Sequence, residues 1–137
     1  VTTPWDDLPA EYHSHPASIE KINLYHTPPD ARSRTRDRIL KNSLDVVMAD
    51  AEASSLEITA SGIDKGVGLL KLCEHLHISP SETIVVGDAD NDYAALKVAG
   101  LPIAMGNANE RIRSISDVIV ADNDHDGCAE VIERFIL

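Results

Sequence analysis

From about Gly62 onward the chain alternates short β-branched runs with stretches about ten residues long that carry apolar side chains at helical spacing. That rhythm commits the segment to βαβ units on a parallel sheet, because neighbouring parallel strands need a crossover and a helix supplies it while covering a sheet face. The pattern predicts helices over 65–75, 92–98, 109–115 and 128–136, and strands over 84–86, 101–105 and 117–120.

Within this rhythm the stretch Thr83 to Asp92, TIVVGDADND, carries the densest chemistry. A buried strand stops at Gly87, read here as the tight turn, and delivers Asp88, Asp90, Asn91 and Asp92. In open parallel sheets ligands bind outside the carboxyl ends of the strands. Carboxylates crowded there repel one another unless they share a cation or a proton, and hard oxygen donors suit Mg²⁺. A plain strand-to-helix loop, with Asp or Asn capping the helix, accounts for the same residues.

Upstream lies SGIDKG, in which Lys65 opens a helix after a glycine-containing turn. Downstream, AMGNAN places Gly106 and Asn107 after another strand. All three segments sit at strand carboxyl ends or helix amino ends, so a parallel sheet can bring them together. A lysine, a carboxylate cluster and an Asn-bearing turn suit a phosphate with Mg²⁺.

The first part of the chain reads differently. Residues 1–18 carry little periodicity and are expected to be loop. Ile19 to Tyr25 alternates as a half-buried strand, Pro28, Pro29 and Asp30 punctuate the chain, and Ala31 to Asn42 reads as a helix with an exposed basic face, Arg32, Arg34, Arg36, Arg38 and Lys41. LDVVMAD and SLEIT give two further strands. The change near residue 60 is the expected boundary, with 1–59 as one unit and 60–137 as the other.

A chain of 137 residues, 43% hydrophobic, has enough material for a real core. No apolar run reaches membrane-spanning length, and VTTPWDDL lacks a signal region, which implies a cytoplasmic protein. The net charge of −11 opposes binding to nucleic acid or to anionic membranes. Cys73 and Cys128 have no metal-type spacing and are expected to be buried free thiols. The pairs His13/His15 and His75/His77 read as surface histidines, one of the second pair packed.

The ordered set LEITASGIDKG (56–66), IVVGDADND (84–92), IAMGNA (103–108) and the tail DNDHDG (122–127) resembles the haloacid dehalogenase (HAD) superfamily, in particular its Cof-type, type IIB phosphatases. The resemblance implies an α/β fold: the C-terminal part of a HAD-like Rossmannoid core with parallel strands and flanking helices, preceded by part of an α+β cap. It also implies two-step phosphomonoester hydrolysis of small phosphorylated metabolites such as sugar phosphates. A strand-end aspartate attacks phosphorus, a second aspartate two residues on serves as acid and base, and water hydrolyses the aspartyl-phosphate.

By the same resemblance Lys65 stabilises charge on phosphate and nucleophile, and Asp88 and Asp92 are the Mg²⁺ positions, Asp92 directly or through water. Asn91 and Asn107 border the phosphate or substrate, and Asp90 is an exposed loop acid. The family's first motif, a strand followed by Asp-x-Asp-Gly and Thr or Ser, has no good match. Asp124-His125-Asp126-Gly127 comes last and is followed by Cys128, and Asp50-Ala51-Glu52 lacks the glycine. The phosphate-binding Ser or Thr of the second motif also cannot be placed. The implied reading is the C-terminal half of a longer enzyme, inactive alone, with another chain or a missing N-terminal half supplying the nucleophile strand. Two rival readings are a noncatalytic phosphate and Mg²⁺ module, and an EF-hand-like calcium loop over 122–133, for which Asp122, Asp124, Asp126, Gly127 and Glu133 match the pattern.

Overall fold

The computed structural model describes residues 6–27, 30–50 and 54–137. The order of elements is α1 (Leu8–Ser14), β1 (Lys21–Tyr25), α2 (Ala31–Lys41), β2 (Val46–Ala49), β3 (Ser55–Ala60), α3 (Lys65–Leu76), β4 (Ile84–Gly87), α4 (Tyr93–Val98), β5 (Leu101–Ala104), α5 (Glu110–Arg113), β6 (Val118–Ile119) and α6 (Gly127–Phe135).

Two three-stranded sheets result. In the first, β3 lies between β1 and β2, antiparallel to both, with Leu56 opposite Leu24 and Ile58 opposite both Ile22 and Met48. In the second, the order is β4-β5-β6 and every pairing is parallel. The outer edge of β4 pairs with no strand among the described residues.

The parallel sheet is covered on both faces, as its apolar strands require. On one face Leu96 of α4 and Ile112 of α5 pack with Ala104 and Ala108, against Val85. On the other, Val131 of α6 packs with Ile103, Met105 and Val120, against Ile84 and Val86. Val85 therefore faces opposite to Ile84 and Val86, the period of two that a strand imposes. Two glycines permit close approach. A Cβ on Gly66 would stand 2.6 Å from the Ala94 carbonyl oxygen, which lets α3 lie on α4. One on Gly127 would stand 2.0 Å from the Ala121 carbonyl oxygen, where α6 begins. Glu130 of α6 returns to that strand end, its Oε2 accepting the Ala121 amide at 2.9 Å.

Several expectations need correction. The segment before β1 is not all loop: Asp7 caps α1, accepting the Ala10 amide at 3.0 Å, and Pro9 supplies a preset first-turn φ. None of the α1 residues is buried, which is why periodicity gave no sign of it. Cys73 is buried as expected, but Cys128 is exposed, its thiol 3.9 Å from the Met105 sulfur. His75 and His77 are both exposed, so neither is packed. The basic face of α2 is not purely solvated either, because Arg32 and Arg36 both reach Asp50. Pro28, Pro29, Ala51 and Glu52 lie outside the described residues.

Candidate active site

Gly87 ends β4, but its backbone does not adopt positive φ, so the tight-turn explanation fails. Glycine is required there because a Cβ would stand 2.6 Å from Cβ of Asp92. The loop folds back on itself instead. Residues Asp90–Asp92 form one 3₁₀ turn before α4, and Asp92 Oδ2 accepts the backbone amides of Asp88 at 3.1 Å and Ala89 at 3.5 Å.

The other carboxylate oxygen, Asp92 Oδ1, receives Lys65 Nζ at 2.5 Å. Lys65 is set at the first turn of α3 because Asp64 caps that helix, accepting the Val67 amide at 2.8 Å. Both Asp92 oxygens are thus engaged. Its side chain is 15% exposed, so the pair with Lys65 is partly shielded from solvent.

Asp88 is held from the opposite side. Its Oδ2 accepts Asn107 Nδ2 at 2.8 Å, and its backbone carbonyl accepts the Asn109 amide at 3.1 Å. Asn107 is itself oriented by the Asn123 amide, which donates to its Oδ1 at 3.2 Å. The turn bearing Asn107 sits flush on the last loop, since a Cβ on Gly106 would stand 2.7 Å from the Asp122 amide nitrogen. Asp88 Oδ1 takes part in no hydrogen bond among the described residues.

Lys65, Asp88, Asp92 and Asn107 therefore converge, and they do so at the carboxyl ends of β4 and β5. The antiparallel sheet faces this group across a cleft. Val47 and Ala49 of β2 and Glu57 and Thr59 of β3 share one sheet face and enclose, with Lys65 and Asn91, a cavity of about 170 Å³. A second cavity of about 250 Å³ adjoins it between Arg36 and Asp50 on one side and Asp90 and Arg111 on the other. Asn91 borders both cavities.

The donor set fits Mg²⁺ in character. That ion is commonly held by one or two carboxylates, with waters and phosphate oxygens completing its shell. Asp88 offers an oxygen that no described residue engages, whereas no three-carboxylate or histidine cage occurs among the described residues.

Comparison with known proteins decides the lineage. The family model described as haloacid dehalogenase-like hydrolase matches residues 6–132. The chain belongs to this family. It is 28% identical to a phosphoglycolate phosphatase of Methanopyrus kandleri, over 98% of this chain and 64% of that protein. It is 32% identical to the 5-amino-6-(5-phospho-D-ribitylamino)uracil phosphatase YcsE of Bacillus subtilis, over 79% of this chain and 43% of that protein. Among solved structures, a haloacid dehalogenase-like hydrolase from Bacteroides thetaiotaomicron superposes with a TM-score of 0.75 at 29% identity, covering 96% of this chain and 48% of that one. The chain thus spans less than two thirds of these relatives.

Within the HAD framework three further residues gain positions that the sequence reading did not give them. Asp90 is no exposed loop acid: Asn109 Nδ2 donates to its Oδ1 at 3.1 Å and Arg111 Nη1 lies 3.4 Å from its Oδ2. Asn109 does double duty, since its Oδ1 also accepts the Ile112 amide at 3.0 Å and caps α5. Arg111 lies over the Tyr93 ring, 4.0 Å from its centroid. Asp64 and Asn109 were detectable in principle as polar residues just before helical patterns, whereas the reach of Arg111 to Asp90 depends on how two loops pack.

The tail DNDHDG contributes a support instead of a calcium loop. It follows strand β6, where an EF-hand needs a helix. Asp122 Oδ1 accepts the Asp124 amide at 3.0 Å and meets His125 Nδ1 at 2.6 Å, and that histidine hydrogen bond holds the Asp122 carboxyl below its ordinary range.

Proposed function

We propose that the protein is a Mg²⁺-dependent phosphomonoester hydrolase acting on small phosphorylated metabolites such as sugar phosphates, and that this chain furnishes the lysine and acidic half of the active site. The nucleophilic aspartate comes, in this reading, from a strand of another segment or chain. The outer edge of β4, which pairs with no strand among the described residues, supports that arrangement, because one more strand could pair there beside the Asp88 loop.

The observation that carries the reading is the continuous set of contacts from Lys65 through Asp92 to the Asp88 amide, and from the Asp88 side chain to Asn107. A cation, a carboxylate with a spare oxygen and an amide donor thus meet at the strand ends, and the cation borders the smaller cavity. Lys65 then holds charge on the phosphoryl oxygens and on the attacking carboxylate. Asn91 and Asn107 orient the phosphate through their amides. Asp88 and Asp92 would hold the metal, Asp92 directly or through water, and Asp92 also fixes the lysine and the loop. Bound Mg²⁺ would supply neutralisation of phosphoryl charge.

The incoming aspartate attacks phosphorus, its partner acid protonates the leaving alkoxide, and water then cleaves the aspartyl-phosphate. Chain charge and thiols support the remaining parts of the reading. The net charge of −11, with Arg34 and Arg36 of α2 bridged to Asp30 and Asp50, supports a small-molecule partner over nucleic acid or an anionic membrane. Cys73 and Cys128 are free thiols, which suits the reducing cytoplasm. No helix is long and apolar enough to cross a membrane among the described residues.

The test joins this chain to the segment encoded immediately upstream of Val1 and follows hydrolysis of a hexose 6-phosphate by ³¹P NMR, with MgCl₂ and with EDTA. Inorganic phosphate should appear only with Mg²⁺. Stabilisation by phosphate without turnover, and no upstream Asp-x-Asp-Gly strand, would instead favour a noncatalytic binding module.

A further inference from the structure

Arg113, the last residue of α5, sends its side chain back over the turn that precedes its own helix. The helix is anchored by the neighbouring Ile112, which is 0% exposed, and is capped by Asn109. Arg113 Nε donates to the Ala108 carbonyl at 2.9 Å, and its Nη2 donates to the Gly106 carbonyl. The two carbonyls stand on either side of Asn107. Among the described residues Arg113 meets no carboxylate within ion-pair distance, unlike its neighbour Arg111, which pairs with Asp90.

The turn is closed by the Ala108 amide, which donates to the Met105 carbonyl at 2.9 Å. Closure of that kind gives the Gly106 carbonyl no partner inside the turn. A guanidinium is a flat fork of five N–H donors, so one group spans both carbonyls and sets the peptide planes that bear them.

The clamped turn carries Asn107 to Asp88. Asn107 Oδ1 accepts the Asn123 amide at 3.2 Å, and its Nδ2 donates to Asp88 Oδ2 at 2.8 Å. An inverted side-chain amide would set N–H against N–H and oxygen against carboxylate, so the orientation is fixed. One oxygen of Asp88 is thereby occupied, and Oδ1 is the one left over.

We infer that Arg113 is a positioning residue of the active site: by clamping the Gly106–Ala108 turn it fixes Asn107 against Asp88 Oδ2, and so reserves Asp88 Oδ1 for Mg²⁺. The inference rests on the Mg²⁺ reading of Asp88 and extends it to a residue that acts only through Asn107.

The test follows ¹⁵N-labelled chain by NMR, with MgCl₂ as the probe. It reads the Asn107 side-chain amide before metal is added and the amides of the Asp88 loop during the titration. Arg113→Met removes the fork, and Arg113→Lys keeps the charge but offers one ammonium for two carbonyls. Both should move the metal-free Asn107 side-chain resonances toward those of a solvent-exposed Asn. Both should weaken Mg²⁺ binding about three- to tenfold, below the roughly 10–100-fold that loss of a direct orienting partner costs. In an Asn107→Ala background, Arg113→Met should weaken Mg²⁺ binding no further, since its route to the metal is already cut. An Asn107 side chain and a Mg²⁺ affinity unchanged in both variants would overturn the inference, and so would an Arg113→Met effect that persists in full without Asn107. If the parent chain binds no Mg²⁺, the metal reading of Asp88 itself fails, and this inference fails with it.

Discussion

Lys65 Nζ lies 2.5 Å from Asp92 Oδ1, although the two residues are 27 positions apart in sequence. The contact ties the first turn of α3 to the loop after β4, and the second oxygen of Asp92 carries the tie on to the Asp88 amide at 3.1 Å. One carboxylate thus sets both the lysine and the backbone that presents Asp88.

Asp92→Asn keeps the shape of the side chain and removes its charge. Loss of an orienting partner of this kind costs roughly 10–100-fold in metal affinity or activity. The same loss should appear in the Mg²⁺ dependence of hydrolysis by the completed enzyme, as a raised Mg²⁺ midpoint, and a midpoint equal to wild type would mean that Asp92 does not support the metal.

Gly87→Ala forces a methyl group to within 2.6 Å of the Asp92 Cβ. Overpacking of this sort costs about 1–3 kcal/mol. Urea denaturation should show the lower stability, and activity should fall as well because the displaced group is Asp92. A variant as stable as the parent would show that the loop has room that the geometry denies.

Leu96→Ala and Ile112→Ala each empty a fully buried position under the site, 1% and 0% exposed respectively. Each should cost about 2–5 kcal/mol. Since both side chains belong to one cluster, the double variant should deviate from additivity.

Glu130 accepts the Ala121 amide and pairs with Arg134, and the amide contact, the larger cause, holds its carboxyl below the ordinary value of 4.5. A group whose folded pKa is depressed stabilises the fold above its unfolded pKa, and that contribution disappears as pH falls through the folded value. Acidification from about pH 5 should therefore lower the melting temperature, and Glu130→Gln should flatten that limb of the profile. An identical pH profile in the variant would remove Glu130 from the account.

Much of this arrangement was legible in sequence because it is local. The strand ending at Gly87, the helix opening at Lys65 and the Asn-bearing turn at Asn107 each declare themselves by periodicity or by turn residues. Their order carries the family resemblance. What the sequence could not show is set by packing across elements. Gly87 looks like a turn glycine, and only the folded loop reveals that Asp92 needs the space. Asp90 looks solvated until Asn109 and Arg111 are brought to it from the next βα connection. Arg32 and Arg36 look like a solvated helix face until β2 places Asp50 beneath them. Helix α1 was missed because nothing on it is buried, so its cap and its proline were the only available signals.

The most direct test of the central claim is steady-state hydrolysis of a phosphomonoester by this chain joined to its nucleophile-bearing segment, comparing wild type with Asp88→Ala across a Mg²⁺ titration. The account predicts Mg²⁺-dependent turnover in the parent and its abolition in the variant. Unchanged turnover in Asp88→Ala would contradict it.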